Sequence, residues 1–194
     1  MTTVRIKVPV WLDRIFTCPL ILYRRLKYGD PFRRIYLGDG IWTLVSPQDY
    51  YPLSSFNWYL ASNGQQFYAF TNVKIGLGKI KMVSMHRMIM NAPRHLIVDH
   101  KNGNTLDNRK TNLRFATRAQ NAFNRQKVKT KTCSKYIGAY FEKRTGRWTV
   151  KIRVDGKRLW LGRFNSELDA ARAYDAAAKK YHGEFAKLNF PDNT

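Results

Sequence analysis

Asp99 and His100 are adjacent residues near the middle of the chain, directly after the apolar run 96–98. A carboxylate beside an imidazole can hold a hard divalent cation and move a proton, which are the two tasks of metal-assisted hydrolysis. Further along, Asn121 offers an amide oxygen, a second hard ligand. Carboxylate and amide oxygens suit Mg²⁺ or Mn²⁺ and are poor ligands for zinc.

The residues around this pair predict the elements that position it. The apolar run before Asp99 favours a short strand. Residues 101–104 have turn chemistry, in which Gly103 can adopt positive φ. A polar loop follows, and Asn112 then introduces a second short strand over 113–116.

A helix is expected after the second strand. Thr117 and Gln120 form a capping box, in which the threonine hydroxyl accepts from a helical N–H while the glutamine reaches back. Asn121 therefore lies in the first turns of this helix. The order strand, loop, strand, helix can bring Asp99, His100 and Asn121 to one place.

This pattern resembles the HNH endonucleases, the ββα-metal family, in the variant whose last motif position is Asn. Asp99-His100, Asn112-Leu113 and Asn121 carry the resemblance, all at the family's spacing. The resemblance implies a catalytic set in which Asp99 and Asn121 bind Mg²⁺ or Mn²⁺, His100 is the general base and Asn112 holds the loop. The other interpretation is a polar loop in which Asp99 and His100 only satisfy turn amides.

The segment before this motif divides in two. Residues 1–34 are basic and aromatic and match no motif; a short helix is expected between Val8 and Lys27, interrupted at Pro19. From residue 35 to 84, short apolar runs separated by Gly, Asn, Asp and Ser predict strands, with a short helix over 48–55. His86 follows, where the resembling family has a His-Arg pair. One interpretation is that His86 lies beside the catalytic residues or faces a DNA phosphate. The other is that it is a structural histidine.

The charge of the chain favours a polyanionic partner. Its 194 residues contain 35 lysines and arginines against 13 aspartates and glutamates, a formal net charge of +22. Such an excess destabilises a compact chain by self-repulsion, and a nucleic-acid backbone is the usual reason for it. Hydrophobic residues make up 44% of the chain, enough for real cores.

An anionic membrane is the rival partner, but no apolar run approaches the roughly 20 residues that span a bilayer. Cys18 and Cys133 stand far apart without a partner motif, which excludes a cysteine zinc site and indicates a reducing compartment. We therefore expect a cytoplasmic protein, in the host cell if a phage encodes it, that acts as a monomer without an implied protein partner.

Residues 125–135 form a basic segment without an acidic residue or apolar periodicity, which predicts a linker. A run of charge is usually just a solvated face. This run joins two candidate DNA-binding modules, however, so Lys127, Lys129 and Lys131 are expected to follow DNA phosphates.

The last part of the chain, residues 136–190, predicts a three-stranded antiparallel sheet followed by one helix. Strands are expected over 138–141, 147–154 and 158–164, with a hairpin turn at Asp155-Gly156. The middle strand alternates basic with apolar residues, so one face of the sheet is basic. Ser166 is expected to cap the helix.

Gly138, Trp148, the string Arg158-Leu159-Trp160-Leu161-Gly162 and the string Leu188-Asn189-Phe190 carry a second resemblance. By these residues the last part of the chain resembles the ethylene-response-factor-type (APETALA-like) DNA-binding domain of plants, which is also found appended to phage and bacterial HNH proteins. The resemblance implies that the sheet lies in the major groove and contacts bases. Tyr140 and Glu142 depart from the plant pattern, so plant sequence preference should not transfer. The residues expected to contact DNA are Arg147, Lys151, Arg153, Arg158 and Trp160; the other interpretation of Trp160 is a core residue.

The sequence therefore predicts an α+β protein in four parts: an N-terminal segment (1–34), a β-rich part leading into a ββα-metal HNH module (35–124), the linker (125–135) and the C-terminal domain (136–190). We expect a metal-dependent DNA endonuclease, homing-type, that nicks or cuts double-stranded DNA. A non-catalytic DNA-binding regulator that retains the nuclease scaffold is the alternative. An RNA-binding protein fits the charge but not the sheet, because A-form RNA hides its deep groove from side chains.

Overall fold

The computed structural model describes residues 9–76, 78–123 and 134–191 and confirms the α+β class. These residues form two compact units, one of residues 9–76, 78–92 and 104–114, the other of residues 93–103, 115–123 and 134–191. Among the described residues, no helix is both long and apolar enough to cross a membrane.

The first unit begins with a long helix, α1 (Val10–Tyr28), and the expected interruption at Pro19 is wrong. A proline inside a helix removes one hydrogen bond to the preceding turn, at a cost of about 3 kcal/mol. The helix is fastened elsewhere, because the Asp13 carboxylate accepts hydrogen bonds of 2.6 and 3.1 Å from the Arg33 guanidinium. The Tyr51 hydroxyl donates to the same carboxylate at 2.7 Å, and α1 ends at Gly29 in the left-handed conformation.

Two small sheets build most of the rest of the first unit, and the strands expected between residues 35 and 84 are confirmed. The strands and helices of this unit are β1 (Arg33–Gly38), β2 (Ile41–Val45), α2 (Tyr50–Ser54), β3 (Tyr59–Ser62), β4 (Phe67–Gly76), β5 (Lys79–Ser84), α3 (Met85–Ile89) and β7 (Asp107–Asn108). One sheet has the order β1-β2-β7 and the other the order β3-β4-β5. The expected short helix over 48–55 is present as a 3₁₀ turn, Pro47–Asp49, leading into α2.

The core of the first unit is formed by buried apolar residues of the strands and of α2 and α3. Val45 and Met85 are completely buried within it. Trp58 packs in this core while its indole N–H donates to the Leu53 carbonyl at 2.7 Å, so the largest core side chain leaves no polar atom unpaired.

The second unit starts with the candidate catalytic segment. Here β6 (Ile97–His100) is paired with β8 (Leu113–Ala116), whose last two residues belong to this unit, and α4 (Arg118–Phe123) contacts β6. The bounds of β8 are those expected. β6 runs further than expected, so Asp99 and His100 are the last residues of the strand rather than the first residues after it.

The remainder of the second unit is the predicted sheet and helix: β9 (Ala139–Glu142), β10 (Arg147–Val154) and β11 (Lys157–Phe164), antiparallel, with α5 (Glu167–His182). Alanines 170, 171, 177 and 178 are buried on α5, which allows a close approach to the sheet. Leu168 and Tyr181, which helical periodicity places on the same stripe as Ala171, Tyr174 and Ala178, are exposed instead. His182 is buried at the end of the helix, where its Nε2 lies 2.8 Å from the Arg153 carbonyl oxygen.

Candidate functional site

The end of β6 carries the first two candidate residues. Asp99 is 6% exposed and His100 is 4% exposed, although both are polar. The chain turns directly after them, and the Gly103 N–H donates to the His100 carbonyl at 2.9 Å while Gly103 has φ +73°. Their burial means that neighbouring atoms fix the orientation of both side chains, as a site for directed chemistry requires.

The third candidate, Asn121, lies on α4 behind the predicted capping box, which is confirmed. The Gln120 backbone N–H donates to the Thr117 hydroxyl at 3.2 Å, and the Thr117 backbone N–H donates to the Gln120 side-chain oxygen at 2.8 Å. These bonds fix where the helix begins. Asn121 is half-buried, and its helix contacts the strand that ends in Asp99 and His100.

Asn112 holds the loop that precedes β8. Its side-chain N–H donates to the Asp107 carbonyl at 2.8 Å, and the residue is buried. Asp107 and Asn108 form β7, which pairs in parallel with β2. The sequence alone did not predict this pairing, because a two-residue strand leaves no periodic pattern.

Polar side chains fasten the same loop to the first unit's sheet. The Asn108 amide donates to the Thr43 hydroxyl at 2.8 Å, and that hydroxyl donates to the Leu106 carbonyl at 2.8 Å. The Lys110 backbone N–H donates to the Ser46 hydroxyl at 3.0 Å. The β-rich lead-in is therefore the support on which this loop is built.

His86 lies on α3 in the first unit. Its Nε2 is 3.3 Å from the Ser84 hydroxyl oxygen, and its ring centroid is 5.4 Å from that of Tyr68. Half-buried against an aromatic ring, His86 has the surroundings of a structural histidine. Its role beside the catalytic set stays a prediction.

The donor set can be tested for a metal. Among residues 9–76, 78–123 and 134–191, no group of three or more His, Cys, Asp and Glu side chains could hold an ion. Asp99 and Asn121 offer two oxygen donors on contacting elements, which fits Mg²⁺, an ion that keeps several waters and few protein ligands.

The basic face of the C-terminal sheet carries all five residues singled out from its sequence. Cross-strand partners in an antiparallel sheet point to the same face. Lys151 is paired with Trp160, and Arg153 with Arg158. Trp160 is 57% exposed, so it is a surface residue and the core interpretation is wrong. Arg147 is exposed at the start of the same strand.

A β-bulge adds a fifth basic residue to this face, one that the sequence pattern did not predict. The register of β10 with β11 shifts between Val150 and Lys151, so Leu161 has no partner and Arg163 lies opposite Thr149. A strict period of two would have placed Arg163 on the apolar face. The bulge reverses this alternation and turns Arg163 to the basic face.

Glu142 places a carboxylate among these cations. It accepts hydrogen bonds from the Arg163 Nε at 2.8 Å and from the Thr145 hydroxyl at 3.0 Å. The Thr145 hydroxyl, and then Arg163, lower the pKa of Glu142. This residue departs from the plant pattern, and the contacts show what it does instead: it orients the additional arginine. Lys127, Lys129 and Lys131 of the linker fall outside the described residues.

Two family models match the chain. The HNH endonuclease family matches residues 91–123, which contain Asp99, His100, Asn112 and Asn121. The AP2 domain matches residues 134–184, which contain the three-stranded sheet and α5.

One relative is similar over most of the chain, whereas the plant relatives are similar over only about a quarter of it. An uncharacterized HNH endonuclease of Acanthamoeba polyphaga mimivirus is 28% identical over 158 residues, 78% of this chain and 76% of the viral protein. Dehydration-responsive element-binding protein 2C of Arabidopsis thaliana is 49% identical over 55 residues, 27% of this chain and 16% of the plant protein. The AP2-like ethylene-responsive transcription factor TOE2 of the same plant is 49% identical over 57 residues, 29% of this chain and 12% of the factor. The chain thus spans less than a fifth of these plant relatives.

The chain therefore combines two domains of different families. Specifically, it has an HNH endonuclease domain followed by an AP2, or ethylene-response-factor-type, domain, as its sequence motifs predicted.

Proposed function

We propose that this chain is a metal-dependent DNA endonuclease of the homing type, which hydrolyses phosphodiester bonds in double-stranded DNA. The observation that carries the proposal is the placement of Asp99 and His100 at the buried end of β6, contacted by the helix that bears Asn121. The match of the same segment to the HNH endonuclease family supports it.

Each candidate residue has one role in this proposal. Asp99 and Asn121 would hold Mg²⁺ or Mn²⁺ through their side-chain oxygens, and the ion would supply the positive charge that stabilises the scissile phosphate and the leaving oxygen. His100 removes a proton from the attacking water. Asn112 keeps the loop before β8 in place through its bond to the Asp107 carbonyl. The ββα-metal arrangement of β6, β8 and α4 is part of the proposal.

The C-terminal sheet supplies docking in this proposal. Arg153 and Arg158 are cross-strand partners on an exposed face, and two neighbouring guanidinium groups suit bidentate contacts with guanine. Trp160 beside Lys151 adds apolar contact area to the same face. The linker lysines 127, 129 and 131 follow phosphates, and the whole chain binds a long asymmetric site as a monomer.

Cleavage of phage or plasmid DNA in the presence of Mg²⁺ tests the proposal, with wild type and His100→Ala compared at equal DNA occupancy. We expect cutting by wild type only, while both proteins bind. If wild type binds duplex DNA but leaves it intact with Mg²⁺ and with Mn²⁺, the chain is the non-catalytic regulator instead. Equal cutting by both proteins would place the chemistry elsewhere.

A further inference from the structure

The hairpin of β4 and β5 extends beyond the sheet that begins it. β3 pairs with β4 only from Phe67 to Phe70, whereas β5 pairs with β4 as far as Gly76. Residues 71–76 and 79–83 are therefore a two-stranded ribbon, here called the β4–β5 ribbon. Two strands alone are at best marginally stable in water, so the β4–β5 ribbon adds little to the stability of the fold. Its length therefore indicates a role in binding another molecule.

The ribbon is basic and lies in a region without negative charge. Lys74, Lys79 and Lys81 are exposed on it. The sequence contains no Asp or Glu between Asp49 and Asp99, a stretch that includes the whole ribbon. Its lysines are therefore positioned to attract an anion rather than to neutralise acidic neighbours on the same stretch.

Apolar side chains are exposed among these lysines. Ile75, Ile80 and Met82 are 59%, 65% and 56% exposed. Ile80 is the cross-strand partner of Lys74, and Met82 is that of Asn72, so one face of the ribbon carries two apolar side chains beside a cation and an amide. Single exposed apolar residues are common on protein surfaces, but neighbouring ones on one face form a patch, and such patches mark interaction sites.

We propose that the β4–β5 ribbon enters a groove of duplex DNA and forms a contact separate from the AP2 sheet. A two-stranded ribbon fits a DNA groove, lysines on its strands can reach phosphates, and isoleucine and methionine are side chains that proteins press against or between base pairs. This inference rests on the DNA substrate of the proposed function, but not on cleavage.

Protection of a sheet edge explains only part of these observations. Lysines on an exposed edge strand prevent pairing with a second chain, and β5 is an edge strand. That role accounts for Lys79 and Lys81. It leaves the exposed Ile80 and Met82 unexplained, because edge protection favours polar residues at those positions.

The experiment measures DNA affinity against salt concentration, with all proteins in a His100→Ala background so that cleavage plays no part. The test variant is Lys74→Gln/Lys81→Gln in the full chain. The control is Lys179→Gln/Lys180→Gln, which removes the same charge from exposed positions on α5. The slope of log K against log[salt] should become shallower by about 0.9 for each phosphate that the variant no longer neutralises. We expect this change in the test variant only.

A second variant examines the apolar contact. Ile80→Ser/Met82→Ser should weaken duplex binding severalfold without changing the salt slope, since all three lysines of the ribbon remain. Hydroxyl-radical footprints of both ribbon variants should show weaker protection over one segment of the site. Circular dichroism and thermal melting confirm that each variant is folded.

The outcomes are distinct. Equal salt slopes for the test and control variants, with an unchanged footprint, would overturn the proposal. Self-association of the lysine variant in sedimentation, without any change in DNA binding, would assign the lysines to edge protection. If wild type binds DNA but does not cut it, the proposed nuclease function is wrong, whereas the proposed contact between the ribbon and DNA is unaffected.

Discussion

The Asp107 carboxylate holds the Arg109 guanidinium through two hydrogen bonds, both 2.7 Å long, within the loop that precedes β8. Asp107 is 2% exposed, so the pair is largely shielded from water. The same guanidinium lies 3.2 Å from the Asp30 carboxylate, after the end of α1. Arg109 thus connects the loop that precedes β8 to the residues that follow α1.

Replacing Arg109 by lysine should lower stability, because an ammonium group cannot make both bonds to Asp107. We expect a decrease of about 1–3 kcal/mol in the free energy of unfolding, since a hydrogen-bonded buried carboxylate is deprived of a partner. Arg144→Lys is the control: its guanidinium is 79% exposed and 3.8 Å from Glu142, so the change should stay within about 0.5 kcal/mol. Chemical denaturation measures both, and equal effects would contradict a special role for the pair.

Metal dependence separates the two proposed ligands. Asp99→Ala removes a charged ligand and should lower the cleavage rate by about two to four orders of magnitude, with partial recovery at high Mg²⁺. Asn121→Ala removes a neutral amide and should be less damaging. The rate measured against Mg²⁺ concentration gives the apparent affinity of each variant. A normal Mg²⁺ response from Asp99→Ala would exclude Asp99 as a ligand.

Target choice should depend on the basic face of the AP2 sheet. Arg153→Ala or Arg158→Ala should cost about 1–3 kcal/mol at one base pair, roughly ten- to hundredfold in discrimination there. Removal of a phosphate-binding side chain would instead weaken all sequences alike. Mapping cut sites over a phage genome distinguishes these cases. Arg172→Ala, an exposed arginine on α5, serves as the control and should leave the site pattern unchanged.

The lowered pKa of Glu142 makes part of the domain's stability depend on pH. A carboxyl group with a lower pKa in the folded than in the unfolded state stabilises the fold above its ordinary pKa of about 4.3. That contribution disappears as the pH falls through the lowered folded-state pKa. The stability difference between wild type and Glu142→Gln should therefore shrink from about pH 6 to about pH 3. In an Arg163→Gln background the shrinkage should be smaller, because the second cause of the shift is gone.

Gly138 is required by a close approach as well as by its backbone. Its φ is +79°, and a β-carbon there would lie 1.9 Å from the Tyr174 ring. Burial raises the pKa of Tyr174 to about 12, which reflects how tightly this ring is enclosed. Gly138→Ala should destabilise the domain by about 1–3 kcal/mol, since the ring must move. Thermal melting measures this, with Gly146→Ala, where nothing lies within 4 Å, as the control for backbone strain alone.

The sequence predicted correctly those structural features that depend only on residues close together in the chain. The capping box at Thr117, the Asp155-Gly156 turn and the bounds of β8 and β10 all depend on neighbouring residues, and all are confirmed. Three features were not predicted from the sequence. They are the continuation of helix α1 through Pro19, the pairing of β7 with β2, and the bulge that places Arg163 on the basic face. Helix α1 is held by the contact of Asp13 with Arg33, two residues far apart in the chain. Strand β7 is too short to show a periodic pattern. The bulge reverses the alternation of inward and outward residues on which the prediction of the sheet faces relied.

The parallel pairing of β7 with β2 limits how this protein could be shortened or recombined. A fragment cut to the family match, residues 91–123, would carry Asp107 and Asn108 without the strand that they pair with. The AP2 domain instead has its own core, in which Val150 and Tyr174 pack together. A gene fusion could therefore exchange the C-terminal domain in one step, whereas the nuclease segment has to be inherited together with the strands that precede it.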